Sequence, residues 1–304
     1  MVEANMCSYE DFPKSELKAE GMKTIEANRQ PCYSQVLWNV EYAKKDGYPL
    51  HLQIILPPME IDPAKKKPHK SYPLILYIQG SAWRKQNLGQ QVHGLCEFAK
   101  RGYVIAIVEY RPSDTAIFPA QVKDVKTAIR FMQDKAEQFF VDANRIYVWG
   151  DSSGGHTCAM IAATMEREYN DETGPLNVKA FVDFYGPTDI TKMNDVPSAM
   201  DHILPQSPEG MLIGGKRVDE TPEMTDQVCI MNHIDEKTEF RPILMIHGNK
   251  DRLVPFQQSV LLYEKLKETH KTVEFYCLDG ADHGGDAFFD QKVLDIVENF
   301  IRQY

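Results

Sequence analysis

The sequence predicts an α/β protein: a mostly parallel, twisted sheet with helices on both faces. Three observations carry this expectation. Apolar runs of strand length recur at Leu74–Ile78, Val104–Val108, Ile146–Trp149, Ala180–Tyr185, Ile243–Ile246 and Val273–Leu278, with stretches of helical period between most of them. A parallel sheet needs such crossovers, because every strand must return to the same edge. The run Arg145–Trp149 leads straight into Gly150-Asp151-Ser152-Ser153-Gly154-Gly155-His156, the composition of a tight strand-to-helix turn. Finally, 304 residues that are 43% hydrophobic and 26% charged suffice for one large core and leave little room for two.

From the N-terminus onward, residues 1–34 are polar and weakly periodic and are expected to form an irregular lead-in to a domain over 35–304. Gln35–Tyr42 and Leu50–Leu56 read as an antiparallel pair, because Lys44-Lys45-Asp46-Gly47 between them has the make-up of a hairpin turn. Pro57-Pro58 to Pro68 reads as a loop that carries the basic run Lys65-Lys66-Lys67 in solvent. Val122, Val125, Ile129 and Met132 repeat at helical spacing behind Pro119, so a helix over 122–139 should cover one sheet face. Another is expected at Phe256–Thr269. A last one is expected at Ala287–Ile301, where Phe288, Val293, Ile296, Val297 and Phe300 form the stripe. Residues 191–238, rich in Pro, Gly and acidic side chains, are too long for a plain connection. They are expected to form a small cap over the C-terminal edge of the sheet.

A net charge of −10 argues against nucleic acid and anionic membrane as main partners, since a surface of that sign repels both. A neutral or locally cationic small molecule fits better. Cys7, Cys32, Cys96, Cys158, Cys229 and Cys277 include no Cys-x-x-Cys pair and no histidine cluster of metal-site spacing. The expectation is unpaired thiols, no metal and no cofactor. No apolar stretch reaches the length of a membrane span, and Met1-Val2-Glu3-Ala4-Asn5 lacks the charged-then-apolar start of a secretory leader. The cytoplasm is therefore the expected compartment, unless a leader has been removed.

Within the strand-to-helix turn, glycine spacing selects the serine. Gly150 and Gly154 stand two residues either side of Ser152, where strand and helix backbones must come close. About 0.04 such patterns are expected by chance from 11 serines and 18 glycines. A serine hydroxyl is a weak nucleophile at neutral pH; it needs a base, and the base needs a group that fixes its tautomer. Both must project from the edge where the parallel strands end. Asp251 follows the run ending at Ile246, and His283 follows the run ending at Leu278, so Ser152, Asp251 and His283 are the expected catalytic residues. Asp251 has a bland alternative as a cap for the helix that follows it. Asp189, Asp279 and Asp282 are rival carboxylates, the last two close in sequence to His283. His247 reads as a structural hydrogen-bonder and His156 as a packing residue, while His202 and the remaining histidines lack a comparable context.

Gln79-Gly80-Ser81-Ala82-Trp83 follows the run ending at Ile78, and its small residues would let backbone amides crowd a carbonyl oxygen. The amides of Ser81, Ala82 and Ser153 are the expected oxyanion hole, with Gly80 and Trp83 lining the substrate site. Together with Glu109-Tyr110-Arg111, Phe118-Pro119-Ala120-Gln121-Val122-Lys123-Asp124 and Asp282-His283-Gly284, these motifs resemble the α/β-hydrolase esterases near hormone-sensitive lipase. The nearest resemblance is to bacterial acetyl- and feruloyl-esterase-like enzymes that act on plant polysaccharides, over about residues 35–303. It implies Ser152 as nucleophile, His283 as base and acid, and Asp251 as orienting carboxylate. The family loop usually has a histidine and further glycines where this chain has Gln79, Ser81 and Ala82. Its backbone donors survive, and the supporting bond of the missing histidine falls to Gln79.

The implied function is a serine carboxylester hydrolase that forms an acyl-enzyme on small polar esters, either small molecules or oligosaccharides carrying acetyl or feruloyl groups. An amide or formamide hydrolase with the same triad is the alternative. A non-catalytic binding protein on such a fold would be expected to have lost a triad member, and serine at the turn excludes a cysteine-based dienelactone hydrolase.

Overall fold

The computed structural model describes residues 7–8, 10–27, 31–62, 67–68 and 70–304. The chain divides into two units, 1–30 and 31–304. The described part of the first contains turns, one of them closed by Ser8 Oγ donating to Asp11. Parts of the lead-in, and Lys65, Lys66 and His69 in and beside the basic run, lie outside the described residues.

In the second unit, β1 (Gln35–Lys45) and β2 (Tyr48–Leu56) form the hairpin, Lys45 pairing with Tyr48 across Asp46 and Gly47. Both turn residues have positive φ, 51° and 83°, the geometry that suits right-handed strand twist. A two-stranded ribbon follows, β3 (Ile61–Asp62) with β4 (Lys67–Pro68). Strands and helices then alternate: β5 (Tyr72–Ile78), α1 (Val92–Ala99), β6 (Val104–Val108), α2 (Ala120–Asp134), β7 (Val141–Asp151), α3 (Ser153–Thr164) and β8 (Val178–Phe184). After a long insertion with α4 (Pro208–Leu212) and α5 (Pro222–Val228) come β9 (Ile243–Gly248), α6 (Gln257–Glu268), β10 (Val273–Leu278) and α7 (Gln291–Ile301).

The main sheet has eight strands in the order β1-β2-β6-β5-β7-β8-β9-β10. β1 and β2 are antiparallel additions; every pairing from β6 to β10 is parallel. Alternation divides each inner strand between two cores. Val104, Ala106 and Val108 of β6 pack with Val125 and Ile129 of α2, Cys158 of α3 and Leu262 of α6. Ile105 and Ile107 face Leu95 and Phe98 of α1 and Val297 and Phe300 of α7. A strand buried on both faces has no polar side, which is why these runs are continuously apolar in sequence.

Two helices differ from their expected spans. α2 stops at Asp134 instead of 139, because Phe139 turns into the core beside Phe131 and Phe140, at φ 60°, redirects the chain so that Val141 enters β7 next to Tyr72. α7 starts at Gln291 instead of Ala287: the Asp290 carboxylate accepts the Lys292 N–H and caps the helix there, while 286–289 form a 3-10 turn that buries Phe288. Residues 185–242, between β8 and β9, contain short helices and irregular chain, and Leu212, Ile213, Val218, Val228 and Ile230 tie them into the first core. All six cysteines are free thiols. Among the described residues no helix is long and apolar enough to cross a membrane.

Candidate active site

β7 ends at Asp151 and α3 begins at Ser153, leaving Ser152 alone at the corner with φ 54° and ψ −126°. A non-glycine residue is strained there and needs its surroundings to hold it. The Ser152 N–H donates to Phe184 O at 2.8 Å, and Ser152 O accepts from the His156 N–H at 3.1 Å. The corner is crowded as well: a Cβ on Gly150 would sit 2.1 Å from Gly154 O, and one on Gly154 would sit 1.9 Å from Ile78 O. The glycine spacing is a packing requirement of the turn.

Three loops at the same sheet edge meet at Ser152. His283, beyond β10, has Nε2 2.9 Å from Ser152 Oγ and Nδ1 2.7 Å from Asp251 Oδ2. Asp251, beyond β9, is fully engaged: Oδ1 accepts the Leu253 and Val254 amides at 2.8 Å each, and Oδ2 accepts a second imidazole, His247 Nε2, at 3.1 Å. Burial alone would raise its pKa, but the hydrogen bonds from His247 and His283 outweigh burial and hold the carboxyl at about 2. An ionised acceptor on Nδ1 leaves Nε2 of a neutral His283 as the lone-pair nitrogen facing the hydroxyl. The Tyr185 ring packs edge-on against His283, centroids 4.8 Å apart, and limits its rotation.

The rival carboxylates are occupied elsewhere. Asp189 accepts from the Thr191 amide and hydroxyl and caps a 3-10 turn. Asp279 accepts from Asn249 Nδ2. Asp282 binds Arg252 Nε at 2.7 Å and the backbone amides of Arg252 and His283, strapping the two loops together. His247, expected only as a structural hydrogen-bonder, reaches Asp251 itself; its Nδ1 faces Ser259 Oγ at 2.7 Å. Its place four residues before Asp251 was the available signal.

The amides of the oxyanion loop divide differently from the expectation. The Ser81 N–H is not free: it donates to Ser153 Oγ at 2.9 Å, because the serine after Ser152 turns its hydroxyl toward the loop. The Gly80 N–H is taken by Asp151 Oδ1 at 3.0 Å. Among the described residues the Ala82 and Ser153 amides have no hydrogen-bond partner. Ala82 and Trp83 both have positive φ, 56° and 53°, so the loop turns sharply here. Tyr110 Oη reinforces the loop, 2.9 Å from Ser81 Oγ. Gln79 does not support the loop as the missing histidine would; its Nε2 reaches Gln90 Oε1 at 3.4 Å.

Ser152, Ser153, His283, Gly80, Ser81, Ala82 and Trp83 all line one cavity of about 300 Å³. Trp83 is buried, edge-on to His156. The cavity is completed by residues without a sequence signal: Tyr185 and Pro187 after β8, Met200, His202, Pro208 and Glu209 of the insertion, and Leu253 and Val254 after Asp251. A hydroxyl hydrogen-bonded to an imidazole, an ionised carboxylate behind it and two free amides beside it form a set able to transfer an acyl group.

Comparison with known proteins bears on this geometry. The BD-FAE family matches residues 59–266. Over 233 residues the chain is 27% identical to Esterase LipC of Mycobacterium tuberculosis, covering 73% of this chain and 55% of LipC. The chain spans about half the length of the curated relatives it matches. A solved structure described as a truncated form of carbohydrate esterase from gut microbiota is 28% identical with a TM-score of 0.76, covering 90% of this chain and 99% of that one. The Bacteroides eggerthii bifunctional GH43-CE protein is 27% identical with a TM-score of 0.72, covering 88% of this chain and 38% of its own. With an eight-stranded, mostly parallel sheet, a strained serine corner and a family match over more than half its length, this chain is an α/β-hydrolase and belongs to the BD-FAE family.

Proposed function

We propose that the protein is a serine carboxylester hydrolase that works through an acyl-enzyme on Ser152, with His283 as base and acid, Asp251 as orienting carboxylate, and Ala82 and Ser153 supplying the oxyanion amides. The observation that carries the reading is the unbroken relay from Ser152 through His283 to Asp251, at 2.9 and 2.7 Å. Ser152 Oγ attacks the ester carbonyl carbon as its proton passes to His283 Nε2. The carbonyl oxygen gains negative charge against the two amides, where no dipole has to reorient during the step. Collapse breaks the bond to the alcohol oxygen, which leaves with the proton from His283. Water then attacks the acyl-enzyme with His283 again as base, releasing the acid and restoring Ser152.

Cavity size and relatives support a substrate class. A cavity of about 300 Å³ is at the small end of ligand sites and suits a short acyl group with part of an alcohol. The names carbohydrate esterase and GH43-CE support an ester on a polysaccharide or oligosaccharide, and the motif resemblance adds acetyl and feruloyl as the candidate acyl groups. Hydrolysis of p-nitrophenyl acetate by wild type and Ser152→Ala is the direct test: the variant should lose about a thousandfold or more in kcat. Equal rates would overturn the assignment of Ser152. Acetylated xylan and methyl ferulate, assayed in parallel, separate the two acyl groups.

A further inference from the structure

The insertion contributes a histidine–carboxyl pair to the cavity that the acyl-transfer chemistry does not use. Ser207 starts α4 by accepting the Gly210 N–H at 3.0 Å and donates its own proton to His202 O at 2.9 Å. This brings His202 beside Glu209, with Nδ1 3.0 Å from Oε1, while His202 Nε2 lies 2.9 Å from Ser198 Oγ. Both side chains are almost fully enclosed, 2% and 3% exposed. Yet Glu209 Oε2 has no partner among the described residues, and Glu209 and His202 line the same cavity as Ser152.

A second acceptor is in the same condition. Gln79 turns its Nε2 to Gln90, which leaves Oε1 buried and unpaired in a residue that also lines the cavity. A buried oxygen without a donor is costly, and more so when it belongs to a carboxylate. Two residues that line one cavity thus each hold a buried acceptor with no donor, which a ligand carrying donors would satisfy once the side chain turns toward it. Neighbouring hydroxyls do this. A cation is less suited, since His202 already donates to the carboxylate and Gln79 offers no charge.

We propose that Glu209, braced by His202, is a specificity-determining residue that accepts a hydrogen bond from a free hydroxyl of the substrate alcohol, so that esters of hydroxyl-rich alcohols such as sugars are favoured over those without free hydroxyls. This inference rests on the esterase reading above. A site built to bind a hydroxyl rejects the analogue that lacks it far more strongly than an apolar pocket rejects a missing methylene.

The test uses the whole chain and a matched pair: a methyl xyloside monoacetate with its other hydroxyls free, and the same ester with those hydroxyls O-methylated. Wild type should favour the free-hydroxyl ester in kcat/KM, and in Glu209→Ala that preference ratio should shrink by about tenfold or more. Glu209→Gln, nearly isosteric, should shrink it in the same direction and serves if the alanine variant folds poorly. An unchanged ratio in soluble, active variants would overturn the proposal and make Glu209 a structural brace. So would a wild type that hydrolyses both esters equally while turning over p-nitrophenyl acetate, a result that leaves the esterase reading intact. No turnover of any of the three esters overturns both readings. A clear preference for acetylcholine over the free-hydroxyl acetate would replace the hydroxyl with a cation.

Discussion

The two walls of the cavity are built in different ways. The sheet wall carries Ser152 and His283 after β7 and β10, with Asp251 after β9 behind His283, each held by a few hydrogen bonds at the end of a strand. The cap wall carries Met200, His202, Pro208 and Glu209 on irregular chain and a five-residue helix. Its placement depends on contacts such as Ser207 with His202 and Val228 with His156. On the proposed function, chemistry resides on the wall whose geometry is set by regular strands, and the features suited to choosing a substrate reside on the wall that is not. A sheet edge offers fixed directions, whereas an insertion can change shape without moving the reacting groups.

Substitution should cost most at the sheet wall. Asp251→Asn should lower kcat by at least about a hundredfold, because an amide has one accepting oxygen, so its NH2 group must face either the two imidazoles or the Leu253 and Val254 amides. Near-normal turnover of p-nitrophenyl acetate by that variant would return Asp189 to contention. A smaller effect is expected behind the oxyanion loop: Ser153→Ala removes the acceptor that holds the Ser81 amide and should lower kcat roughly tenfold with little change in KM or Tm. An unaltered kcat would mean that Tyr110 alone keeps the loop in place.

The smallest effect concerns the joint between the walls. His156 is buried against Trp83 and Phe118 and donates Nε2–H to Val228 O at 3.0 Å, fastening the insertion to α3. Burial lowers its pKa from 6.5 to about 4. Between those values the unfolded chain binds a proton that the folded chain does not, so this group makes stability rise with pH across the window and fall on acidification. The contribution is at most about 1.4 kcal/mol per pH unit. Urea midpoints measured from pH 4 to 6.5 should show a flatter slope in His156→Phe than in wild type, and parallel curves would exclude His156 as the source.

Much of the sheet wall was legible in the sequence because its signals are local. Gly150 and Gly154 stand within five residues around Ser152, although only Gly150 is demanded by a contact inside the turn and Gly154 by the end of β5 at Ile78, and Asp251 and His283 each lie a short loop beyond an apolar run. The ends of α2 and α7 were not legible, since the stop at Asp134 depends on Phe139 reaching Phe131 and the start at Gln291 on a single Asp290 cap. The oxyanion loop misled for a related reason. Ser81, Ala82 and Ser153 all have suitable amides by composition, but which amide stays free depends on where the Ser153 hydroxyl points.

By itself the sequence determined the class of fold, the serine at the corner and the edge on which its partners would gather, because strand period and crossover length are short-range constraints and the glycine pattern is complete within five residues. Only the tertiary structure decided which carboxylate faces His283, which amides remain unpaired, and that His202 and Glu209 close the cavity. Those outcomes arise from side chains that are distant in sequence and become neighbours only when β7, β9, β10 and the insertion pack together, and no local pattern encodes such an encounter.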